Sequence, residues 1–275
     1  MQILLPPSET KRSGGEAVPL DWSRLTNPSL TTQRQQLAKA LTALGEQPDV
    51  ARAVLKLGRT QLGEIDRNRE LLSAPTLPVI DRYTGVLFDG LDAGTLTKAQ
   101  RAFAHVHLRV HSALFGPVGA LDPIPAYRLS CDSRIPHLTL HNHTLKKHWH
   151  QAIQRLLEQG DELLLDLRSE GYVLLGPRPV RANSVYLRVV VVAPDGHKRA
   201  LNHFNKKSKG EFTRWLLREQ HNFGTVVELV ERARAAGIRL EPGDAGQLEL
   251  TVEQQLAAPG RKATSTIYTG VRLGA

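Results

Sequence analysis

The residues of this chain that could do chemistry are mainly cations, and their densest group lies in the segment HFNKKSKGEFTR, residues 203–214. Gly210 permits close backbone approach, and the letters from Thr213 onward are typical of a helix. Cations fixed at a strand-to-helix junction lose less conformational entropy on binding than cations in a mobile tail. The segment predicts a phosphate clamp, and a solvated lysine run is the alternative. Its four cations are Lys206, Lys207, Lys209 and Arg214.

Two earlier loops offer further groups that bind anions. The segment PPSETK places the hydroxyls of Ser8 and Thr10 and the ammonium of Lys11 just past a strand end. The segment PAYRLS offers the flat ring of Tyr127 and the five-donor guanidinium of Arg128, which suits phosphate. A tyrosine and an arginine that join a loop to the core would give the same pattern.

The segment DLRSEGY follows an apolar strand and carries the acidic candidates Asp166 and Glu170, with Ser169 between them. Sites in α/β proteins are commonly built where strands end. A carboxylate there would act as a base or orient a water. No acid partner stands at a fixed spacing, so the catalytic residues stay unassigned.

A glycine-bearing turn interrupts the helical pattern of residues 50–71, in the segment VLKLGRTQLGEI. In a helix-hairpin-helix, such a turn lets backbone N–H groups approach phosphate oxygens. Lys56, Gly58 and Arg59 are the candidate contacts. A tight turn between two packed helices is the alternative interpretation.

Motifs for metals and common cofactors are missing from the sequence. His107 and His111 stand four residues apart in a predicted helix, but no HExxH or CxxC motif accompanies the eleven histidines. GxGxxG, GxxxxGK and GxSxG motifs are absent as well. We therefore expect no metal and no cofactor.

Composition bounds the class of protein and of partner. The 275 residues carry 36 Lys and Arg against 27 Asp and Glu, a formal charge of +9 that favours polyanionic partners. The single cysteine, Cys131, excludes an intrachain disulfide and favours a reducing compartment. The longest apolar runs fall far short of the roughly 20 residues that a membrane span needs. We expect a cytoplasmic protein without a membrane partner.

The pattern of elements predicts one mixed α/β domain over residues 1–275. Strands are predicted at 3–5, in ELLLDLRS, in SVYLRVVVVA, in QLELTVEQ and, as a hairpin partner, in LNHFNKK. PVIDRYTGVLFDGLDAGTLT has a strand-and-turn character, and PVGALDPIPAYRLS is predicted to be a loop. Helices are predicted at 31–70 with a break at GEQPD, at 97–116 ending at Gly116, at 144–158, and in GEFTRWLLREQ and TVVELVERARAAG.

Four segments in this order resemble the YaaA family of peroxide stress proteins: ILLPPSETK, YTGVLFDGLD, HSALFGPVGALDPIPAYRL and FNKKSKGEFTR. The resemblance covers essentially the whole chain, although the residues after about Gly243 match poorly. In LRSEGY, Gly171 stands beside Tyr172 where the family commonly has an acidic residue. This departure argues against carrying a carboxylate function over to that strand end.

The resemblance implies a cytosolic protein linked to the hydrogen peroxide response, with a single domain, a basic cleft, a helix-hairpin-helix-like element and DNA binding. The matched positions in the cleft are Lys11, Arg128, Lys206, Lys207, Lys209 and Arg214, with Lys56, Gly58 and Arg59 in the hairpin. Our first hypothesis is therefore a peroxide-stress protein that binds duplex or branched DNA largely independently of sequence. The alternative is an enzyme for a nucleotide-like or phosphorylated small molecule, with Ser8, Tyr127 or Glu170 as chemical groups.

Overall fold

A mostly parallel sheet forms the centre of the protein. The computed structural model describes residues 1–136, 144–192, 198–200, 205–254 and 265–266. Hydrogen bonds order the main sheet as β11-β10-β7-β6-β1-β3-β4, with β8 beside β7 and β9 beside β10, while β2 and β5 pair separately. The strands within these residues are β1 (Gln2–Leu5), β2 (Thr76–Pro78), β3 (Leu108–Ser112), β4 (Gly116–Gly119), β5 (Pro123–Pro125), β6 (Leu164–Asp166), β7 (Ser184–Val192), β8 (Lys198–Ala200), β9 (Leu240–Pro242), β10 (Gln247–Gln254) and β11 (Ser265–Thr266).

The central strands are apolar on both faces because both faces of the sheet are covered. β1 runs parallel to β3 on one side and to β6 on the other, and β6, β7 and β10 continue in parallel. Ile3, Leu4 and Leu5 are at most 1% exposed. A strand buried on both sides is a continuous apolar run, which is why the sequence predicts β1, β6, β7 and β10 correctly.

Helices flank the sheet, and three of them begin at a threonine cap. The side chains of Thr97, Thr144 and Thr225 each accept a hydrogen bond from a backbone N–H in the first helical turn. The helices are α1 (Thr31–Gly45), α2 (Pro48–Val54), α3 (Gly63–Arg69), α4 (Val79–Arg82), α5 (Val86–Leu91), α6 (Lys98–His107), α7 (Leu145–Glu158), α8 (Glu170–Val173), α9 (Asn205–Glu219) and α10 (Val226–Ala235).

One continuous cluster of buried apolar side chains, from Met1 to Val252, joins these elements. The expected fold class, a mixed α/β protein in a single domain, is therefore confirmed. Among the residues described, no helix combines the length and the apolar character needed to cross a membrane.

The long helix predicted over 97–116 is wrong. α6 ends at His107 and the chain enters β3 at once, because Leu108 and Val110 are fully buried where β3 pairs with β1. The letters LRVHS alternate between apolar and polar residues, a strand signal that the helical pattern before them masks. The predicted loop at 117–130 likewise contains β4 and β5.

Two further predictions fail around α5 and α9. The segment PVIDRYTGVLFDGLDAGTLT is mainly helical and contains α4 and α5. The turn between these two helices includes Gly85, which has a φ of +95°. α9 starts at Asn205 and not at Thr213, so the lysine segment is helical from its first described residue. A strand does pair with β7, but β8 lies before the predicted segment LNHFNKK. Residues 205–207 of that segment belong to α9, and residues 201–204 lie outside the described residues.

Candidate functional site

A cleft of about 740 Å³ opens at the carboxyl ends of β1 and β6. Its walls are residues 6–10 after β1, the segment after β6, the start of α5 and the first turn of α9. β3, the next strand of the main sheet along the chain, lies on one side of β1, and β6 lies on the other. The cleft therefore occupies a topological switch point, where open α/β sheets bind their ligands.

Backbone hydrogen bonds fix the loop that leaves β1. Lys11 forms a bridge with Tyr83, and the N–H of Thr84 donates to the carbonyl of Thr10 at 3.2 Å. Ser8 and Thr10 lie against Gly85, and a β-carbon there would stand 3.3 Å from the Ser8 hydroxyl oxygen. The loop thus presents its hydroxyls to the cleft from a held position.

The ammonium of Lys11 lies among aromatic rings. Its Nζ is 4.1 Å from the centre of the Tyr127 ring and 5.3 Å from that of Tyr83. It also donates to the carbonyl oxygens of Ser8 at 3.0 Å and Glu9 at 3.3 Å. Burial lowers the pKa of Lys11 to about 7. This cation braces the loop next to the cleft and is not one of the residues that line it.

Tyr127 has no face to offer a ligand, because it is 1% exposed. Its hydroxyl lies 2.8 Å from that of Tyr83 and 2.7 Å from that of Ser112. Burial raises the pKa of Tyr127 well above its usual value. Tyr127 therefore joins the loop to the core, as the alternative interpretation of this residue has it.

Arg128 is paired with an acid at the edge of the cleft. Its Nη1 lies 3.0 Å from a carboxylate oxygen of Glu9, which lines the cleft and also accepts from Ser130. Buried Asn68 holds the Arg128 backbone through hydrogen bonds of 2.8 and 2.9 Å. Glu9, a residue that sequence reasoning missed, therefore offsets the positive charge of Arg128.

The first turn of α9 supplies the cations of the cleft itself. Asn205, Lys206 and Lys209 line it, and α9 directs the positive end of its helix dipole there. Lys206 is exposed and has no ion-pair partner among the residues that the structure describes. A helix N-terminus beside an exposed cation is a physical basis for binding phosphate.

Lys209 is buried at the base of the cleft. It is 4% exposed, its Nζ lies 5.0 Å from the centre of the Tyr186 ring, and it is 3.5 Å from the carbonyl oxygen of Arg168. Burial lowers the pKa of Lys209 to about 8, against the opposing charges of Asp166 and Glu170. A neutral and a protonated form are therefore both accessible near physiological pH, as is common in functional sites.

Lys207 and Arg214 lie on another face of α9. Lys207 is 3.4 Å from Glu211, and Arg214 forms an ion pair and hydrogen bond with Asp92. This face packs next to α5 and has its own shallow groove. The structure does not bring these two cations into the cleft.

Gly210 has a packing role. A β-carbon at Gly210 would overlap the carbonyl oxygen of Leu87, and one at Gly90 would lie 2.7 Å from the carbonyl oxygen of Lys207. The two glycines let the backbones of α5 and α9 touch, which fixes both helices at the rim of the cleft. The close approach expected at Gly210 is therefore made by α5.

The turn at Lys56, Gly58 and Arg59 lies between α2 and α3. Lys56, at φ +54°, adopts the left-handed conformation, whereas Gly58 has an ordinary extended backbone. Lys56 pairs with Asp132, whose neighbour Cys131 packs against Gly171 of the cleft wall. The turn is thus exposed and lies next to one end of the cleft.

The acidic segment after β6 divides into a buried and an accessible part. Asp166 is fully buried and pairs with Arg168 at 2.7 Å, so it has no access to a ligand. Ser169 and Glu170 line the cleft. A β-carbon at Gly171 would lie 2.9 Å from the sulfur of Cys131, which gives a packing reason for glycine at this position.

The histidine pair does not share a helical face. His107 ends α6, and its Nδ1 lies 2.8 Å from the carbonyl oxygen of Met1, while His111 is buried in β3. Among the described residues no group of His, Cys, Asp and Glu is placed to hold a metal ion. Five histidines lie outside those residues: His137, His141, His143, His197 and His203.

Sequence reasoning also missed three buried arginines that hold loops together. Arg34 donates to the carbonyls of Phe115 and Pro117, and Arg82 to those of Ile124 and Pro75. Arg168 donates to the carbonyl of Gly176 as well as to Asp166. A cation whose partners are backbone carbonyls leaves no signal in the sequence.

Comparison with known proteins identifies the family of this chain. The model of the family described as "Peroxide stress protein YaaA" matches residues 1–242. A "UPF0246 protein" of Corynebacterium efficiens is 42% identical over 92% of this chain and 99% of its own, and one of Corynebacterium glutamicum is 41% identical over 88% and 95%. A UPF0246 protein of Streptomyces coelicolor is 38% identical over 88% of this chain and 92% of its own. The chain therefore belongs to the peroxide stress protein YaaA family.

Proposed function

We propose that this protein acts in the oxidative-stress response by binding DNA through phosphate contacts in the cleft, with little reading of base sequence. The observation that carries the proposal is the first turn of α9, where Lys206 and Lys209 meet the helix N-terminus in one concavity. The formal charge of +9 favours approach of a polyanion.

The size of the cleft restricts the form of the DNA. A volume of about 740 Å³ lies in the range of about 300–1,000 Å³ that is typical of small-molecule sites, so it accommodates a nucleotide unit and not a duplex. Binding in the cleft then requires a single-stranded or unpaired nucleotide, which costs least where base pairing is already lost. We infer a preference for bubble or branched DNA over intact duplex.

The turn between α2 and α3 supplies a second contact in this proposal, in the manner of a helix-hairpin-helix. A β-carbon at Gly58 would meet only the Gln61 side chain, at 3.5 Å. The N–H of Gly58 donates to Oε1 of Gln61 at 3.0 Å, so in this proposal a phosphate displaces that side chain. Lys56 and Arg59 are exposed on either side of it. A Gly58→Ala variant should keep its melting temperature and bind DNA more weakly.

The test is a set of fluorescence-anisotropy titrations with duplex DNA and with the same DNA containing a bubble. Affinity should fall steeply between about 50 and 200 mM salt, because each neutralised phosphate releases counterions. The bubble should bind more tightly than the duplex. A flat salt response contradicts DNA binding, and equal affinity for both DNAs contradicts the placement of a nucleotide in the cleft.

A second candidate is an enzyme for a nucleotide-like or phosphorylated small molecule. The specific observation in its favour is that a switch-point cleft of this volume combines Lys209, whose pKa is lowered to about 8, with Glu170 and Ser8. A thermal-shift screen with nucleotides and sugar phosphates separates the candidates. Strong stabilisation by one of these compounds, with DNA inert, favours the enzyme.

A further inference from the structure

A second, smaller cavity lies away from the cleft, on the face of the sheet that α7 covers. Its volume is about 180 Å³, and its walls come from β1, β3 and the end of α7. Gln2 and Leu4 of β1 and Arg109 and His111 of β3 alternate along their strands, so they share this face. Glu162, which is exposed, is among the residues that line it.

His111 places an unpaired donor in the wall of this cavity. It is 1% exposed, and its Nδ1 lies 2.9 Å from Nη1 of Arg168. A guanidinium can only donate, so Nδ1 accepts and the proton of the neutral ring is on Nε2. Burial, with the charges of Arg168 and Arg109, holds the pKa of His111 well below its usual value and keeps the ring neutral. Nε2 is buried and has no hydrogen-bond partner among the described residues.

Arg181 places a second unpaired donor in the same wall. Its terminal nitrogens donate to the carbonyl oxygens of Gly160 and Glu162, which fixes the guanidinium. Its Nε is buried and, like the His111 Nε2, lacks a partner in the described part of the chain. An unpaired buried donor costs about 1–3 kcal/mol, so two in one cavity call for an acceptor inside it.

We propose that this cavity binds a small oxyanion, of the chemical class of nitrate, acetate or phosphate, between the Nε2–H of His111 and the Nε–H of Arg181. Both groups donate only, which excludes a metal cation as their ligand. The charged residues of the wall are Arg109, Arg181 and Glu162, and the exposed carboxylate of Asp161 lies 3.8 Å from Nη1 of Arg181. A volume of about 180 Å³ accommodates such an ion together with a few waters, at about 30 Å³ for each water.

This site is distinct from the cleft. Arg168 separates them: its guanidinium contacts His111 on one side, and its carbonyl oxygen contacts Lys209 on the other. Residues that line the cavity do not line the cleft. A failure of DNA or nucleotide binding in the cleft therefore leaves this proposal intact.

The test follows the His111 ring nitrogens by NMR in ¹⁵N-labelled full-length protein. Sodium nitrate, acetate and phosphate are each titrated at constant ionic strength, in a Lys206→Gln background that weakens anion binding in the cleft. We expect a saturable shift of the Nε2 signal with at least one of these anions. Absence of a saturable shift with all three overturns the proposal and leaves water as the acceptor.

Two variants show whether the response comes from this cavity. Arg181→Gln removes the second donor from an edge of the fold and should weaken the saturable His111 response at least tenfold. Arg178→Gln is the matched control, because Arg178 also donates to backbone carbonyls, those of Ser184 and Gly246, but does not line the cavity. An equal response in all three proteins contradicts the site, whether or not the cleft binds DNA.

Discussion

The two faces of α9 carry similar numbers of cations and have different electrostatic surroundings. On the cleft face, Lys206 lies exposed and Lys209 lies buried three residues later. On the outer face, Lys207 and Arg214 lie next to Glu211 and Asp92. One helical period divides a run of charge into a candidate anion-binding face and a face of ion pairs. The density of positive charge in a sequence therefore says less about binding than the face on which each cation falls.

The strongest way to break this division is to separate α9 from α5. In Gly210→Ala the new β-carbon overlaps the carbonyl oxygen of Leu87, so the helices must move apart. We expect the free energy of unfolding to fall by about 3 kcal/mol or more, the upper range for overpacking, together with loss of ligand binding. Denaturant unfolding measures the first effect and anisotropy the second.

Gly63→Ala is the control for this change, because a β-carbon at Gly63 has open space around it. It should leave stability unchanged or slightly raised, since alanine favours a helix. If Gly210→Ala proves as stable as Gly63→Ala, the contact between the two helices does not define the cleft.

The buried cation of the cleft face should make stability depend on pH. The folded pKa of Lys209 is about 8 and lies below the ordinary value of 10.5, so between these values the unfolded chain holds a proton that the folded chain has released. Stability then rises with pH through this window. In the wild type, the free energy of unfolding should rise by a contribution on the order of 2 kcal/mol, since one pKa unit is about 1.4 kcal/mol. Lys209→Met has no titrating group at this position and should lack that contribution.

The measurement is the free energy of unfolding of the wild type and of Lys209→Met at a series of pH values from 7 to 10.5. This range includes the folded pKa of Lys209, about 8, and its ordinary value of 10.5. Lys207→Met is the control, because Lys207 is half-exposed on the outer face. Parallel curves for the wild type and Lys209→Met would show that Lys209 is more hydrated than the structure indicates. Phosphate affinity should fall over the same pH range as Lys209 loses its charge.

How much of this division the sequence could predict depends on where α9 begins. The helical pattern is recognisable only from Gly210 onward, so the sequence assigns no helical face to Lys206, Lys207 or Lys209. With α9 starting at Asn205, positions 206 and 209 fall on one side and 207, 211 and 214 on the other. The acids that pair with the outer cations include Asp92, which is 122 residues away from Arg214 along the chain. Only the fold brings that carboxylate to the helix.

The strands and the cleft loops show the same limit. The apolar runs of β1, β6, β7 and β10 predict the sheet, because a strand buried on both faces is a continuous apolar segment that is visible in the local sequence. The sequence predicts a helix for the residues of β3, since their short alternating run follows the strong helical pattern of α6. It predicts Tyr127 as a site residue because its hydroxyl suits a ligand, but Ser112 and Tyr83 use that hydroxyl in the core. Partners so far apart in sequence leave no local signal.

The sharpest comparison between the two faces exchanges one lysine at a time. Lys206→Gln removes an exposed cation of the cleft that has no ion-pair partner among the described residues, and it should weaken DNA or phosphate binding about tenfold, within the range for charged hydrogen bonds. For DNA, the slope of log affinity against log salt should decrease by about 0.9 for a lost phosphate contact. Lys207→Gln is the neighbouring control and should change both quantities much less. Equal losses in the two variants would mean that both faces bind.

The smallest effect is expected on the outer face, at Arg214. Its ion pair with Asp92 is strong in geometry, but Asp92 is exposed, and exposed pairs contribute only about 0–1 kcal/mol. Arg214→Gln should therefore lower stability by no more than that amount and leave binding in the cleft unchanged. Asp92→Asn should give a similar small loss, and the double variant should lose less than the sum of the two, because the pair is then absent in every variant. A large loss of DNA affinity in Arg214→Gln, with stability intact, would place a phosphate contact on the outer face and remove the distinction between the two sides of α9.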